Sequence, residues 1–348
     1  MLRQRGEIYI SLKNLPKSID TRYLGRKISI DKVLPSSSGN EIIAYVNSKQ
    51  FEWLVKEKIE FELLTPPSML KAATMCSDYY DVKEWDCYPT YSQYVALMDS
   101  FVNDYPTLCK LQKFGQSIEG RKLLVLKISD NANLKEEEPE FFYTSTMHGD
   151  ETTGYVLMLR FIEYLLTNYG TDARVTELVN NTEIWINPLS NPDGTYASGD
   201  NDLSNAARFN SNGVDLNRNY PDLESSDGQP GQGESFQQEN VAMMDFLGNH
   251  NFVLSANFHG GAEVVNYPWD TWYTYEKLHA DDAWYQEISH EYADTAHANS
   301  TNYMITLDFE PNPSGITHGA TWYAVTGGRQ DYVNYYLAWQ GSYVRDFG

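Results

Sequence analysis

The chain has 348 residues and a mass of 39.8 kDa, which at roughly 150 residues per domain points to about two domains. Lys and Arg number 26 against 48 Asp and Glu, a net charge of −22 that repels phosphate backbones and anionic lipid heads and argues against nucleic acid or membrane partners. At 41% hydrophobic and 21% charged, with no apolar run near the ~18 residues of a membrane-spanning helix, the composition is that of a folded globular chain. The aromatic content of 14% reads as core packing and pocket lining. A carbohydrate-binding surface is the aromatic-based runner-up, and it would hold no stoichiometric metal.

In chain order, residues 7–12 and 41–46 read as strands, 49–58 as a short helix and 59–64 as a further strand, together a small N-terminal α+β domain over residues 1–66. Thr65-Pro66-Pro67-Ser68 ends it, since two prolines remove backbone donors and favour extended chain; 67–84 is the linker. From Trp85 onward strands and helices alternate as in a layered α/β domain, a mixed central sheet flanked by helices. Helices are predicted over 91–101, 151–166 and 237–247, and strands over 122–128, 140–145, 181–186 and 252–258. The Gly/Ser/Asp/Gln-rich stretch 222–235 reads as a surface loop at a pocket rim.

Three cysteines, Cys76, Cys87 and Cys109, are too few for a disulfide scaffold and lack zinc-thiolate spacing. Either Cys87 pairs with Cys109 in an oxidising compartment, leaving Cys76 unpaired, or all three are buried free thiols. The first residues carry no apolar signal-like stretch, so the chain is read as cytosolic or as a mature form whose signal was removed.

The chemistry-bearing residues follow strand ends. His148-Gly149-Asp150-Glu151 lies where a strand stops and a helix starts, so an imidazole and a carboxylate three residues apart can reach one point. His259 ends the apolar run 252–258 and precedes Gly260-Gly261, which lets backbone turn close to a bound group. Two His and one Glu leave one zinc position open for water, the stoichiometry of a hydrolytic site. Between them, Gly213-Val214-Asp215-Leu216-Asn217-Arg218-Asn219 offers an Asn-Arg fork for a carboxylate, and the glycine-containing loop 321–332 carries Tyr323.

With these motifs in this order, the sequence resembles the zinc metallocarboxypeptidase family of the carboxypeptidase A and B kind. Within it the likeness is to the regulatory subgroup that includes carboxypeptidases D, E and N. The resemblance implies one Zn2+ per chain on His148, Glu151 and His259, and a C-terminal exopeptidase whose Asn217 and Arg218 grip the substrate's terminal carboxylate. It further implies Arg208 as the oxyanion arginine, Tyr323 as the tyrosine closing over the terminal residue, and Arg121 as the arginine of a more distal subsite. Asp270 and Gln330 match the subgroup's pocket for Lys or Arg, and a basic side chain does need a buried anion and polar acceptors. The implied partner is a peptide with a free C-terminal carboxylate; a cell-wall stem peptide is an alternative substrate. Location is expected by analogy to be secreted or periplasmic.

The sequence departs from the family at its end. Residues 85–348 read as a zinc carboxypeptidase catalytic domain that is C-terminally incomplete, without the β-sandwich that usually follows in the subgroup. The position expected for the general-base glutamate, about 17 residues past the second glycine of the Gly327-Gly328 pair, is Arg345. Reading the coding sequence one nucleotide later after Tyr336 permits an Arg-Glu-Val-Thr-Phe-Glu strand with suitable codons, which raises a frameshift as the explanation. As written, the expectation is an impaired enzyme, or a zinc-containing peptide-binding protein without turnover. Residues 1–66 are expected either to cover the site in the manner of a prosegment or to act as a fixed packing unit.

Overall fold

The computed structural model describes residues 2–13, 15–16, 19–36, 39–304, 315–337 and 346–347. Its first part runs α1 (Leu2–Arg5), β1 (Glu7–Leu12), α2 (Thr21–Gly25), β2 (Ser29–Ser36), β3 (Gly39–Asn47), α3 (Ser48–Lys56) and β4 (Phe61–Leu64). The strands form an antiparallel sheet in the order β2-β3-β1-β4. Ile8, Ile10 and Leu12 of β1 lie opposite Val46, Ala44 and Ile42 of β3, and this face packs with Leu24 and Leu54 of the two flanking helices. A reciprocal cap starts α3: Asn47 accepts from the Gln50 N–H while Gln50 accepts from the Asn47 N–H, both at 2.9 Å. The edge strand β2 escapes sequence reading because a register shift between Ile30 and Lys32 breaks its alternation and Pro35 is tolerated only at a sheet edge.

An antiparallel sheet with one wet face alternates buried and exposed residues, yet every residue of β1 is buried. The second face, bearing Tyr9, Ile43 and Tyr45, packs against Phe209 of the larger part of the chain. That face is covered by protein.

The larger part contains α4 (Tyr91–Asp104), β5 (Cys109–Gln116), β6 (Lys122–Ile128), β7 (Glu140–Ser145), α5 (Thr153–Asn168), α6 (Ala173–Asn181), β8 (Glu183–Asn187) and α7 (Pro192–Thr195). It continues with α8 (Gln238–Gly248), β9 (Phe252–Phe258), β10 (Val265–Tyr267), α9 (Asp282–Asn299), β11 (Ile316–His318), α10 (Gly319–Trp322), α11 (Arg329–Tyr332) and β12 (Asp346–Phe347). Six strands form a mixed sheet in the order β12-β9-β7-β8-β6-β5, with β7 parallel to both neighbours and β6 antiparallel to both of its own. Strand alternation sorts the core into two layers. Leu124, Leu126 and Ile128 face α4 and α5, while Val125 joins Phe142, Trp185 and Phe246 on the α8 side. The 18-residue α9 was not visible in the sequence because its buried positions, Tyr285, Ser289 and Ala293, form one thin stripe of largely small or polar residues. Among the described residues no helix is long and apolar enough to cross a membrane.

The cysteine expectation is corrected on both alternatives. Cys76 is bonded to Cys87, and Cys109, buried at the start of β5, is free. Backbone hydrogen bonds from Cys76 N to Tyr88 O (2.9 Å) and from Tyr88 N to Thr74 O (2.8 Å) lay the two segments side by side. Cys109 is turned instead toward α4, its thiol donating to the Phe101 carbonyl at 3.1 Å.

Within the sheet, Lys127 and Glu183 are 3% and 1% exposed and meet at 2.6 Å. Lys127→Met strands the carboxylate without its counter-charge and is expected to lower unfolding free energy by about 3–5 kcal/mol in urea titrations, with Lys127→Met/Glu183→Leu recovering most of it. An unchanged urea midpoint for the single variant would contradict this.

Candidate active site

The site is built at the carboxyl edge of two parallel strands. Ser145, the last residue of β7, lies opposite Phe258, the last of β9, so the segments that follow leave the sheet at the same level. After β7, Thr146 takes a left-handed backbone (φ 59°), an uncommon conformation for a β-branched residue, and swings the chain into His148. Gly149 is required next, because a Cβ there would stand 2.4 to 2.5 Å from backbone atoms of Gly194, Ala207 and Thr195. After β9 the chain passes directly into His259.

His148 Nδ1 is 3.0 Å from Glu151 Oε1, His259 Nδ1 is 2.8 Å from Glu151 Oε2, and the two Nδ1 atoms are 3.1 Å apart. Two imidazole nitrogens and one carboxylate thus surround one point, an arrangement that a cation at that point stabilises, and the N, N, O donor set suits zinc with a further position open. The far side of the His148 ring is fixed: Nε2 lies 3.0 Å from Asp215 Oδ1, which sets the tautomer that leaves Nδ1 free to ligate. Burial opposes charge on Glu151, but His148 and His259 hold its carboxyl well below the usual range. Burial likewise opposes charge on Asp215, and His148, Arg208 and Arg218 hold it down.

Arg208, 3% exposed, reaches Glu151 Oε1 at 3.1 Å and Asp215 Oδ2 at 3.2 Å. Asn217 and Arg218 sit on a short 3-10 turn (Leu216–Arg218) that Asp215 caps by accepting from the Asn217 N–H at 2.8 Å. Among the described residues Arg218 Nε is buried without a hydrogen-bond partner, an unsatisfied donor of the kind a bound acceptor would satisfy. His148, Glu151, Arg208, Asn217, Arg218, His259, Asp270, Tyr323 and Gln330 all line one cavity. Burial raises the pKa of the Tyr323 hydroxyl, so it stays protonated there. Arg121 does not line that cavity; it is tied by its guanidinium to Glu119, Asp193 and Asp200 at 2.7 to 2.9 Å. Arg345 lies outside the described residues.

Five contributors are not legible in the sequence: Asp215, Ser29, Asp31, Tyr45 and Glu7. Asp215 sits inside the same motif as Asn217 and Arg218, and its place two residues before the fork was the available signal. Ser29 and Asp31 come from the N-terminal sheet: Asp31 lines the cavity and accepts from the Tyr9 hydroxyl at 2.6 Å, while Ser29 donates to Asp215 and accepts from Arg208 Nε at 2.9 Å. Tyr45 donates to Asp150 at 3.0 Å, Glu7 accepts the backbone N–H groups of Arg208 and Phe209 at 3.0 and 3.1 Å, and Arg218 Nη2 donates to the Ile30 carbonyl at 3.4 Å. No periodicity encodes such contacts.

The family model described as zinc carboxypeptidase matches residues 94–346. The chain belongs to the zinc carboxypeptidase family. It is 45% identical over 243 residues to carboxypeptidase D of Homo sapiens, covering 67% of this chain and 17% of that protein. To carboxypeptidase M of Mus musculus it is 38% identical over 254 residues, covering 70% of this chain and 55% of that one. The chain therefore spans about a sixth of the length of the carboxypeptidase D relatives. In fold it is similar to the crystal structure of carboxypeptidase A from Helicoverpa armigera, with a TM-score of 0.65 at 17% identity over 99% of this chain and 88% of that one. Zinc is the family's metal, and the His-Glu-His group fits it.

Asp215→Asn keeps the side chain's size but weakens the anchor on His148, and is expected to reduce zinc affinity about 10–100-fold in a chelator-competition titration. Affinity equal to that of the unaltered chain would contradict the anchoring role.

Proposed function

We propose that the chain is a zinc-dependent exopeptidase that removes C-terminal residues, preferably Lys or Arg, from peptides. The observation that carries this reading is the cavity in which His148, Glu151 and His259 stand beside the buried Arg218, whose Nε has no acceptor among the described residues. His148, Glu151 and His259 would hold the metal, and zinc supplies the Lewis acidity that peptide hydrolysis needs. Arg218 and Asn217 bind the terminal carboxylate, which selects chain ends because an internal peptide bond offers no such charge. Arg208, fixed by Asp215, directs its guanidinium toward the oxygen that gains charge. Tyr323 closes over the terminal residue, Asp270 and Gln330 receive its basic side chain, and Arg121 serves residues further from the scissile bond. By analogy the protein acts outside the cytoplasm.

The proton acceptor is the element that the written tail changes. With arginine at 345 in place of a glutamate, turnover is expected to fall by about 10²–10⁴-fold relative to a chain carrying the alternative reading frame after Tyr336. Incubated with peptides ending in Arg, in Leu and in Arg-amide, the chain is expected to release Arg fastest, to leave the amide intact and to stop on chelation, as read by mass spectrometry. Cleavage of the amide at the rate of the free acid would overturn the exopeptidase reading. Tail-dependent loss of product with peptide binding retained would assign the written chain to the second reading, a zinc-containing peptide-binding protein.

Residues 1–66 form part of this proposal as a cover, because Asp31 lines the cavity and Ser29 and Ile30 accept hydrogen bonds from its arginines, Arg208 and Arg218. The segment after the sheet is accessible, with Leu70 73% exposed next to Lys71. Cutting there, at a single site-specific protease sequence inserted after Leu70, and separating the halves is expected to raise turnover at least about tenfold, by freeing binding-competent sites. Equal rates before and after would make the sheet a fixed packing element.

A further inference from the structure

Asp270 and Gln330 reach the cavity from two different segments, and their separation must be held if they are to grip one cation together. Most ties on the Asp270 segment are neutral. Asp270 O accepts from Val325 N at 2.9 Å, Trp269 O accepts from Ala320 N at 2.9 Å, and the Thr271 hydroxyl donates to Val325 O at 3.1 Å. Asn266 Nδ2 donates to Asp270 Oδ1 at 2.9 Å, and Gly319 leaves the carboxylate its room, since a Cβ there would collide with Oδ1. Among the described residues two charged groups hold the segment: Arg22 Nη2 donates to the Thr271 carbonyl at 3.2 Å, and on the other side stands the acidic anchor, Asp331. Its Oδ1 accepts from Asp270 N at 2.9 Å and its Oδ2 from Thr271 N at 2.7 Å. Asp331 follows Gln330 directly in α11, so a single backbone carries both the anchor and the pocket amide.

We infer that Asp331 is a positioning residue for the cation pocket: by taking the consecutive N–H groups of Asp270 and Thr271 it fixes the Asp270 carboxylate relative to Gln330 and sets the preference for a positively charged C-terminal side chain. This rests on the reading of Asp270 and Gln330 as that pocket. Asp331 is 1% exposed and Asp270 7%, so the two acids share a poorly solvated region in which their relative placement is held by hydrogen bonds. Burial and the nearby Asp270 push the Asp331 carboxyl up to about 7 despite the opposing pull of the hydrogen bonds from Thr271 and Asp270. An asparagine offers one acceptor oxygen for two donors, leaving one N–H unpaired and the loop free to shift.

The test is the binding of peptides ending in Arg and in Leu to the full zinc-loaded chain by calorimetry, with Asp331→Asn and Asp331→Glu beside the unaltered protein. Asp331→Asn is expected to weaken the Arg peptide about tenfold or more while the Leu peptide stays within about twofold, and Asp331→Glu to restore part of the Arg preference. Equal weakening of both peptides overturns the inference. Loss of zinc and of both peptides in both variants assigns Asp331 to fold integrity and also overturns it. If the unaltered chain binds neither peptide, or both equally, the pocket reading fails first and the inference falls with it.

Discussion

The alignment of two strand ends carries the rest of the structure. Because Phe258 lies opposite Ser145 in a parallel pair, the segments leaving β7 and β9 emerge at the same edge of the sheet, and two histidines 111 positions apart meet there. A slip of one residue would turn His259 toward the other face of the sheet. The left-handed turn at Thr146 and the tight packing of Gly149 against the backbone of Gly194, Ala207 and Thr195 are what this edge demands of the chain between strand and ligands.

Around that edge the protein organises charge in shells. Glu151 faces the metal point between the two imidazoles directly, Asp215 holds the back of His148, and Arg208 spans both acids. Asp215 is buried and Glu151 mostly so, and each is offset by imidazole or guanidinium within hydrogen-bond distance, the condition under which buried charge is tolerated. The N-terminal sheet enters this network from outside. Its second face would be an unusual wet surface bearing Tyr9, Ile43 and Tyr45, and instead it docks on the site through Glu7, Ser29 and Tyr45. The same contacts that bury the sheet place Asp31 in the cavity.

Much of this was legible in the sequence, and the boundary between the legible and the hidden is physical. Strands β1, β6, β7 and β9 are legible with their full bounds because they are short, apolar-rich runs bounded by turn residues; β1 is buried throughout and β6 at all but its first residue. His148, Glu151 and His259 were legible because each lies within six residues of such a strand, where side chains converge at a sheet edge. What stayed hidden depends on tertiary contact. Ser29 and Asp31 serve the site only because one sheet docks on another layer, α9 shows too narrow an apolar stripe to announce itself, and Cys76 finds Cys87 through a backbone bridge with no spacing signal.

The account turns on whether two imidazoles and one carboxylate bind the same ion. X-ray absorption at the zinc edge on the metal-loaded chain measures this directly. The account predicts a sulfur-free coordination shell with two imidazole nitrogens at about 2.0–2.1 Å and carboxylate oxygen at about 2.0–2.2 Å. A shell containing sulfur, or one without imidazole scattering, would contradict it.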